Sequence, residues 1–198
     1  MADLIGSTFV FIGRSGCGKG TQAALLQKYC TEKGCDVVRL GTGDFARERA
    51  QKNTLTGKWI KSILDAGGFF PSWLAGALML EMIEPRLTSH EQVLLLDGSP
   101  RRMHEAEVLD DFMAHLKRPS VYAIHLDISE DESRRRLLAR GRGDDTEDAI
   151  TSRLTWFKTQ VEPVLSYYGD RLITVSGEGA IETIHDSIIA SLSLPTTH

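Results

Sequence analysis

A doubly wound α/β fold is what this 198-residue sequence predicts. Two observations carry the expectation. Short apolar runs alternate with helical stretches along the chain, and the first run ends at a glycine-rich loop that opens a helix. Strands alternating with helices imply parallel β-strands joined by crossover helices, here a five-stranded parallel sheet in a three-layer α/β/α arrangement. No internal repeat, low-complexity stretch or long linker interrupts the pattern, so 1–198 reads as one domain.

The elements follow in order. Residues 7–12 (STFVFI) are β-branched and aromatic and stop at Gly13, which reads as a buried strand entering a tight loop. Residues 20–33 place Ala23, Leu25, Leu26 and Tyr29 at helical spacing. A second strand, 36–40, stops at Gly41-Thr42-Gly43-Asp44. Residues 44–86 read as helical, punctuated by Gly57, Gly67, Gly68 and Pro71. Strands at 92–96 and 121–126 flank an amphipathic helix at 105–116, and an Arg-rich helix covers 130–140. After the turn Gly141-Arg142-Gly143-Asp144-Asp145, residues 146–168 read as one long helix with acidic residues at its entry, which Pro163 is expected to bend. A fifth strand at 172–175 and a helix at 181–192 close the chain.

Composition narrows the function. Hydrophobic residues at 41% and charged residues at 25% suit a soluble globular protein. A net charge of -4 argues against broad nucleic-acid binding, though a local basic cleft remains compatible with it. Cys17, Cys30 and Cys35 form no CxxC pair, and no apolar run reaches the ~20 residues that span a bilayer. The N-terminal residues lack the charge and apolar stretch of a signal peptide. A cytoplasmic protein without membrane or nucleic-acid partners is therefore expected. His90, His104, His115, His125, His185 and His198 show no metal-binding spacing, and no Gly-x-Ser-x-Gly elbow points to a hydrolase.

The strongest motif is Gly13-Arg14-Ser15-Gly16-Cys17-Gly18-Lys19-Gly20-Thr21. Following a strand and opening a helix, it has the context of a phosphate-binding P-loop. Its glycines let the backbone turn and bring N–H groups close to phosphate oxygens, and Lys19 adds a charge that reaches them. Gly20 stands where most such loops carry a Ser or Thr for magnesium, and Thr21 follows one place later.

That Lys-Gly-Thr variant, with three further motifs, resembles the adenylate kinase family of nucleoside monophosphate kinases. The motifs are Gly16-Cys17-Gly18-Lys19-Gly20-Thr21-Gln22, Thr42-Gly43-Asp44-Phe45-Ala46-Arg47, Asp97-Gly98-Ser99-Pro100-Arg101, and Arg140-Gly141-Arg142-Gly143-Asp144-Asp145 with Arg153 beyond it. They occur in the family's order and cover nearly the whole chain. The resemblance implies a P-loop NTPase fold with a helical flap for the monophosphate at 43–86 and a very short lid at 140–146. It implies direct in-line transfer from Mg-ATP to AMP, giving two ADP, by a monomer.

By the same resemblance, Gly16, Cys17, Gly18, Lys19, Gly20, Thr21, Arg136, Arg140 and Gly179 belong to the ATP side. Thr42, Arg47, Gly68, Phe69, Phe70, Gly98, Arg101, Glu105, Arg142 and Arg153 belong to the monophosphate side. Lys19, Arg101, Arg140, Arg142 and Arg153 are the catalytic cations, ringing the transferring group because two polyphosphates repel each other. Asp97, ending an apolar strand, is expected to position Mg2+ through water. The short lid leaves no room, and the chain no cysteines, for the zinc site of long-lid relatives. Arg102, Arg134 and Arg135 lie off the motifs and read as surface. A small inert filler is the reading for the Cys17 side chain, and core packing is as good a reading for Phe69 and Phe70 as base contact.

Three residues depart from the family's pattern. Ser15 replaces a proline, which should loosen the loop, and Ser99 replaces a larger side chain. Glu105 replaces the glutamine that reads adenine. An ionised carboxylate only accepts hydrogen bonds, so it suits guanine's N1–H and amine better than adenine. Thr42 favours AMP, which stands first, ahead of GMP and then CMP or UMP. A nucleotide-binding module with weakened catalysis is the remaining alternative.

Overall fold

The computed structural model describes residues 4–143 and 145–193, so Asp144 of the lid motif and His198 lie outside the described residues. Five strands form one parallel sheet in the order β2-β3-β1-β4-β5. They are β1 (Thr8–Ile12), β2 (Val37–Gly41), β3 (Val93–Asp97), β4 (Val121–Asp127) and β5 (Leu172–Ser176). Each lies within about one residue of its sequence expectation.

Alternation along β1 explains the layers. Val10 and Ile12 face one side, where α4 (Ser72–Ile83), α5 (Met103–His115) and α8 (Glu162–Tyr168) supply Met79, Leu109 and Val164. Phe9 and Phe11 face the other, against Leu26 of α1 (Lys19–Glu32) and Ile184 and Ile188 of α9 (Ile181–Ser193). Because both faces are covered, β1 and β3 are apolar almost throughout instead of alternating with polar residues. Each fully buried Leu, Ile or Phe here contributes roughly 1.5–3 kcal/mol by leaving water.

The helical reading of 44–86 resolves into three helices. α2 (Thr42–Ala50) starts two residues earlier than expected, α3 (Leu55–Asp65) is capped by Thr54, whose hydroxyl accepts from the Gly57 amide at 3.0 Å, and α4 follows Pro71. They share a small core of Ile60, Leu74 and Leu78 into which Phe45, Leu64 and Phe70 pack.

The long helix expected over 146–168 is interrupted. α6 (Glu130–Arg140) ends at Gly141, and α7 (Glu147–Trp156) then runs into a π-helical turn at Phe157–Val161 before α8. Pro163 is the reason: it has no N–H for the carbonyl of Thr159, and the Glu162 amide reaches back to the carbonyl of Phe157.

Candidate active site

The phosphate loop leaves the C-terminal end of β1, with β3 and β4 on either side, where ligands bind in open parallel sheets. Its glycine at position 20 has a local cause. A Cβ there would stand 3.0 Å from Oδ2 of Asp97, so a side chain at this position would crowd the carboxylate at the end of β3, which glycine leaves room for. Gly98 is the second constrained glycine: its φ is +90°, and a Cβ would meet Thr42 Oγ1 at 2.7 Å. Thr42 in turn donates to the Asp97 carbonyl at 3.2 Å, tying the start of α2 to the end of β3.

A cleft of about 670 Å³ opens over this edge. Gly16, Gly18, Lys19, Gly20 and Thr21 line it from the loop, and Thr42, Arg47, Gly68, Phe69 and Phe70 from the three-helix unit. Asp97, Gly98, Arg101 and Glu105 line it from β3, the turn after it and α5, while Arg140 enters from the end of the helix at Glu130–Arg140, Arg142 from the turn that follows, and Arg153 from α7. Cations distant in sequence thus converge on one concave surface of a chain whose net charge is -4.

Their present partners are informative. Lys19 Nζ donates to the carbonyls of Gly13 and Arg14, both at 2.9 Å, so its ammonium lies folded against its own loop. Arg47 pairs with Asp44 at 2.6 Å. Arg140 Nε and Arg153 Nη1 both donate to Asp145 at 2.8 Å, and the Arg142 amide adds a third contact at 3.2 Å. The Asp145 side chain is wholly buried, and its hydrogen bond from Arg140, helped by Arg153, holds its carboxyl down at about 2.

Glu105 is 3% exposed and braces the turn before its helix: Oε2 accepts from the Arg101 amide at 2.8 Å and from Ser99 Oγ at 3.3 Å. Burial pushes its carboxyl above the usual range, against the lowering pull of the Arg101 amide and guanidinium, Arg102 and Ser99.

Three residues expected on the ATP side stand back from the cleft. Cys17 is 1% exposed and packs in the core under the loop, so its side chain does not line the cleft. Arg136 is held by Glu132 at 2.6 Å and donates to the Gly177 carbonyl at 3.0 Å. That contact sets it against the loop carrying Gly179 and beside Gly16, whose Cβ would lie 3.5 Å from that of Arg136.

The surface reading of Arg102 is corrected: it is half-buried, donates to the Phe70 carbonyl at 2.7 Å and covers the Trp156 ring at 4.4 Å. Arg134 and Arg135 do pair at the surface, with Glu147 and Glu132. Phe70 belongs to the core of the three-helix unit, whereas Phe69 stacks on Trp156 at 3.8 Å with 9° between the rings. Trp156 also lines the cleft and was missed; its signal was its position one helical turn after Arg153. Arg39 lines the cleft as well, from β2, and no motif marked it.

Sheet, loop and cation ring together define a P-loop phosphotransferase. A family model described as adenylate kinase matches residues 11–173. Adenylate kinase of Corynebacterium diphtheriae is 35% identical over 92% of this chain and 97% of its own length. Those of Corynebacterium aurimucosum and a Synechococcus strain are each 34% identical over 93% of this chain and 98% and 97% of theirs. The chain belongs to the adenylate kinase family.

Proposed function

We propose that this protein transfers the terminal phosphoryl group of ATP to AMP, forming two ADP, and that the cleft binds both nucleotides end to end. The observation that carries the reading is the convergence of Lys19, Arg47, Arg101, Arg140, Arg142 and Arg153 on one cleft beside a P-loop. Direct transfer needs no covalent intermediate, so catalysis is positioning and neutralisation of charge.

The loop amides from Gly16 to Thr21 and Lys19 hold the ATP phosphates in this reading, and Arg136 with the Gly179 loop borders the ATP base. Arg47 and Arg101 grip the AMP phosphate, with 43–86 acting as the acceptor flap. Arg140, Arg142 and Arg153 turn to the transferring group from the short lid, and Asp145 sets the two guanidiniums it now holds. Gly68, Phe69, Phe70, Thr42 and Gly98 border the acceptor, and Glu105 faces its base.

The donor set fits magnesium: the Asp97 carboxylate and the Thr21 hydroxyl both line the cleft, and hard oxygen donors suit a hard cation. When bound, the ion would supply positive charge that offsets the negative charge of the phosphates. Among the described residues no group of three or more His, Cys, Asp or Glu could hold a metal ion. Among the described residues no helix is long and apolar enough to cross a membrane. All three cysteines are free thiols, which supports a reducing compartment such as the cytoplasm over an oxidising one.

The test is a coupled assay of the purified protein with AMP, GMP, CMP and UMP. Turnover with AMP is expected to exceed the others by tenfold or more, and Lys19→Met is expected to lower kcat by at least ~100-fold with the circular dichroism spectrum unchanged. A Lys19→Met rate near wild type, or GMP preferred tenfold over AMP, would refute the assignment.

A further inference from the structure

Ser99 and Glu105, two departures from the family's pattern six positions apart, touch. Both are buried, and the Ser99 hydroxyl donates to Glu105 Oε2 at 3.3 Å while the Arg101 amide donates to the same oxygen at 2.8 Å. A carboxylate oxygen offers two lone pairs in the carboxylate plane, and these two donors take both. Among the described residues Oε1 accepts no hydrogen bond, although Glu105 lines the cleft.

We propose that Ser99 and Glu105 act as one specificity unit: Ser99 is the positioning residue that occupies Oε2, and Glu105 offers the acceptor base a single acceptor-only atom, Oε1. The inference rests on the proposed function for the identity of the acceptor nucleotide and for the placing of Glu105 at its base. Its chemical consequence is a site that reads one exocyclic amine. Adenine gives that amine to Oε1 and leaves its ring N1 without a donor. Guanine presents N1–H and N2–H2 side by side; with Oε2 already filled, only one of them reaches Oε1 and the other is left an unpaired donor. A base with a carbonyl in place of the amine meets Oε1 only through its N1–H, which sets that carbonyl beside the carboxylate. Ser99 thereby converts a carboxylate that would otherwise suit guanine into a reader of adenine.

The experiment is calorimetric titration of the full-length protein, without ATP, using AMP, GMP, IMP and 1-deaza-AMP, in which N1 is replaced by C–H. For the wild type, 1-deaza-AMP is expected to bind at least as tightly as AMP, and GMP and IMP at least tenfold more weakly. Ser99→Ala is expected to raise affinity for GMP and shrink the AMP-over-GMP ratio about tenfold, and Ser99→Thr, which keeps the hydroxyl, is expected to restore it. Glu105→Gln supplies a donor for N1 and is expected to make AMP bind several-fold more tightly than 1-deaza-AMP.

A purely structural role for Ser99 would move all four affinities together and overturn the proposal. So would a wild-type protein that binds AMP tenfold better than 1-deaza-AMP, because Oε1 would then be giving a proton to N1. Because the readout is binding, it stands apart from catalysis: the expected affinity pattern without ADP formation would sink the kinase reading and leave this one.

Discussion

At the scale of single residues, the phosphate loop carries Ser15 where the family resemblance implies a proline, and it has other restraints. Arg14 covers the Phe157 ring at 4.5 Å, donates to the Ile128 carbonyl at 3.0 Å and approaches Asp127 and Glu162 at 3.5 and 3.7 Å. Ser133 adds a bond to the Ser15 carbonyl at 2.7 Å. The loosening expected from Ser15 is therefore opposed by side-chain tethers to β4, α6 and α8. Asp145 restrains the other side of the cleft, and its titration can be followed. Its folded pKa, about 2, lies below the ordinary Asp value of ~3.9. The stability it contributes is full above that ordinary value and is lost as pH falls toward about 2. Thermal unfolding should show Asp145→Asn well below wild type at neutral pH, with the gap closing at the acid end. A gap that stays constant across that range would contradict the paired-carboxylate account.

Elements show where the sequence was readable and where it was not. All five strands were legible because their apolar runs end at glycines or aspartates with clear turn chemistry, and 92–96 differs from β3 by one residue. The phosphate loop and the convergence of Lys19, Arg47, Arg101, Arg140, Arg142 and Arg153 followed from motif positions. The π-turn was not legible beyond a bend at Pro163, because hydrogen-bond register inside a helix leaves no mark on apolar spacing. Nor was the Phe69–Trp156 stack, which joins a loop and a helix 87 positions apart. That stack links the three-helix unit, the proposed acceptor flap, to the helix bearing Arg153, and Arg102 pins the same loop through the Phe70 carbonyl. Ring stacking of this kind contributes ~0.5–1.5 kcal/mol. Trp156→Ala is accordingly expected to raise KM for AMP about 3- to 10-fold and to leave KM for ATP nearly unchanged. Equal increases for both nucleotides would show that the stack serves the whole fold and not the flap.

For the molecule as a whole, a net charge of -4 coexists with a cleft crowded by lysine and arginine. The fold accomplishes this by ending β1 and β3 at one edge and sending α2 to α4, α5 and α7 to surround it. Such a cleft gathers polyanions, and its value depends on both being bound at once so that one phosphoryl group passes between them. The most direct measurement is phosphorus NMR of the protein with magnesium, ATP and AMP. Two ADP should appear for each ATP consumed, with AMP falling in step and no free phosphate formed. ATP loss with accumulation of inorganic phosphate and unchanged AMP would contradict the account.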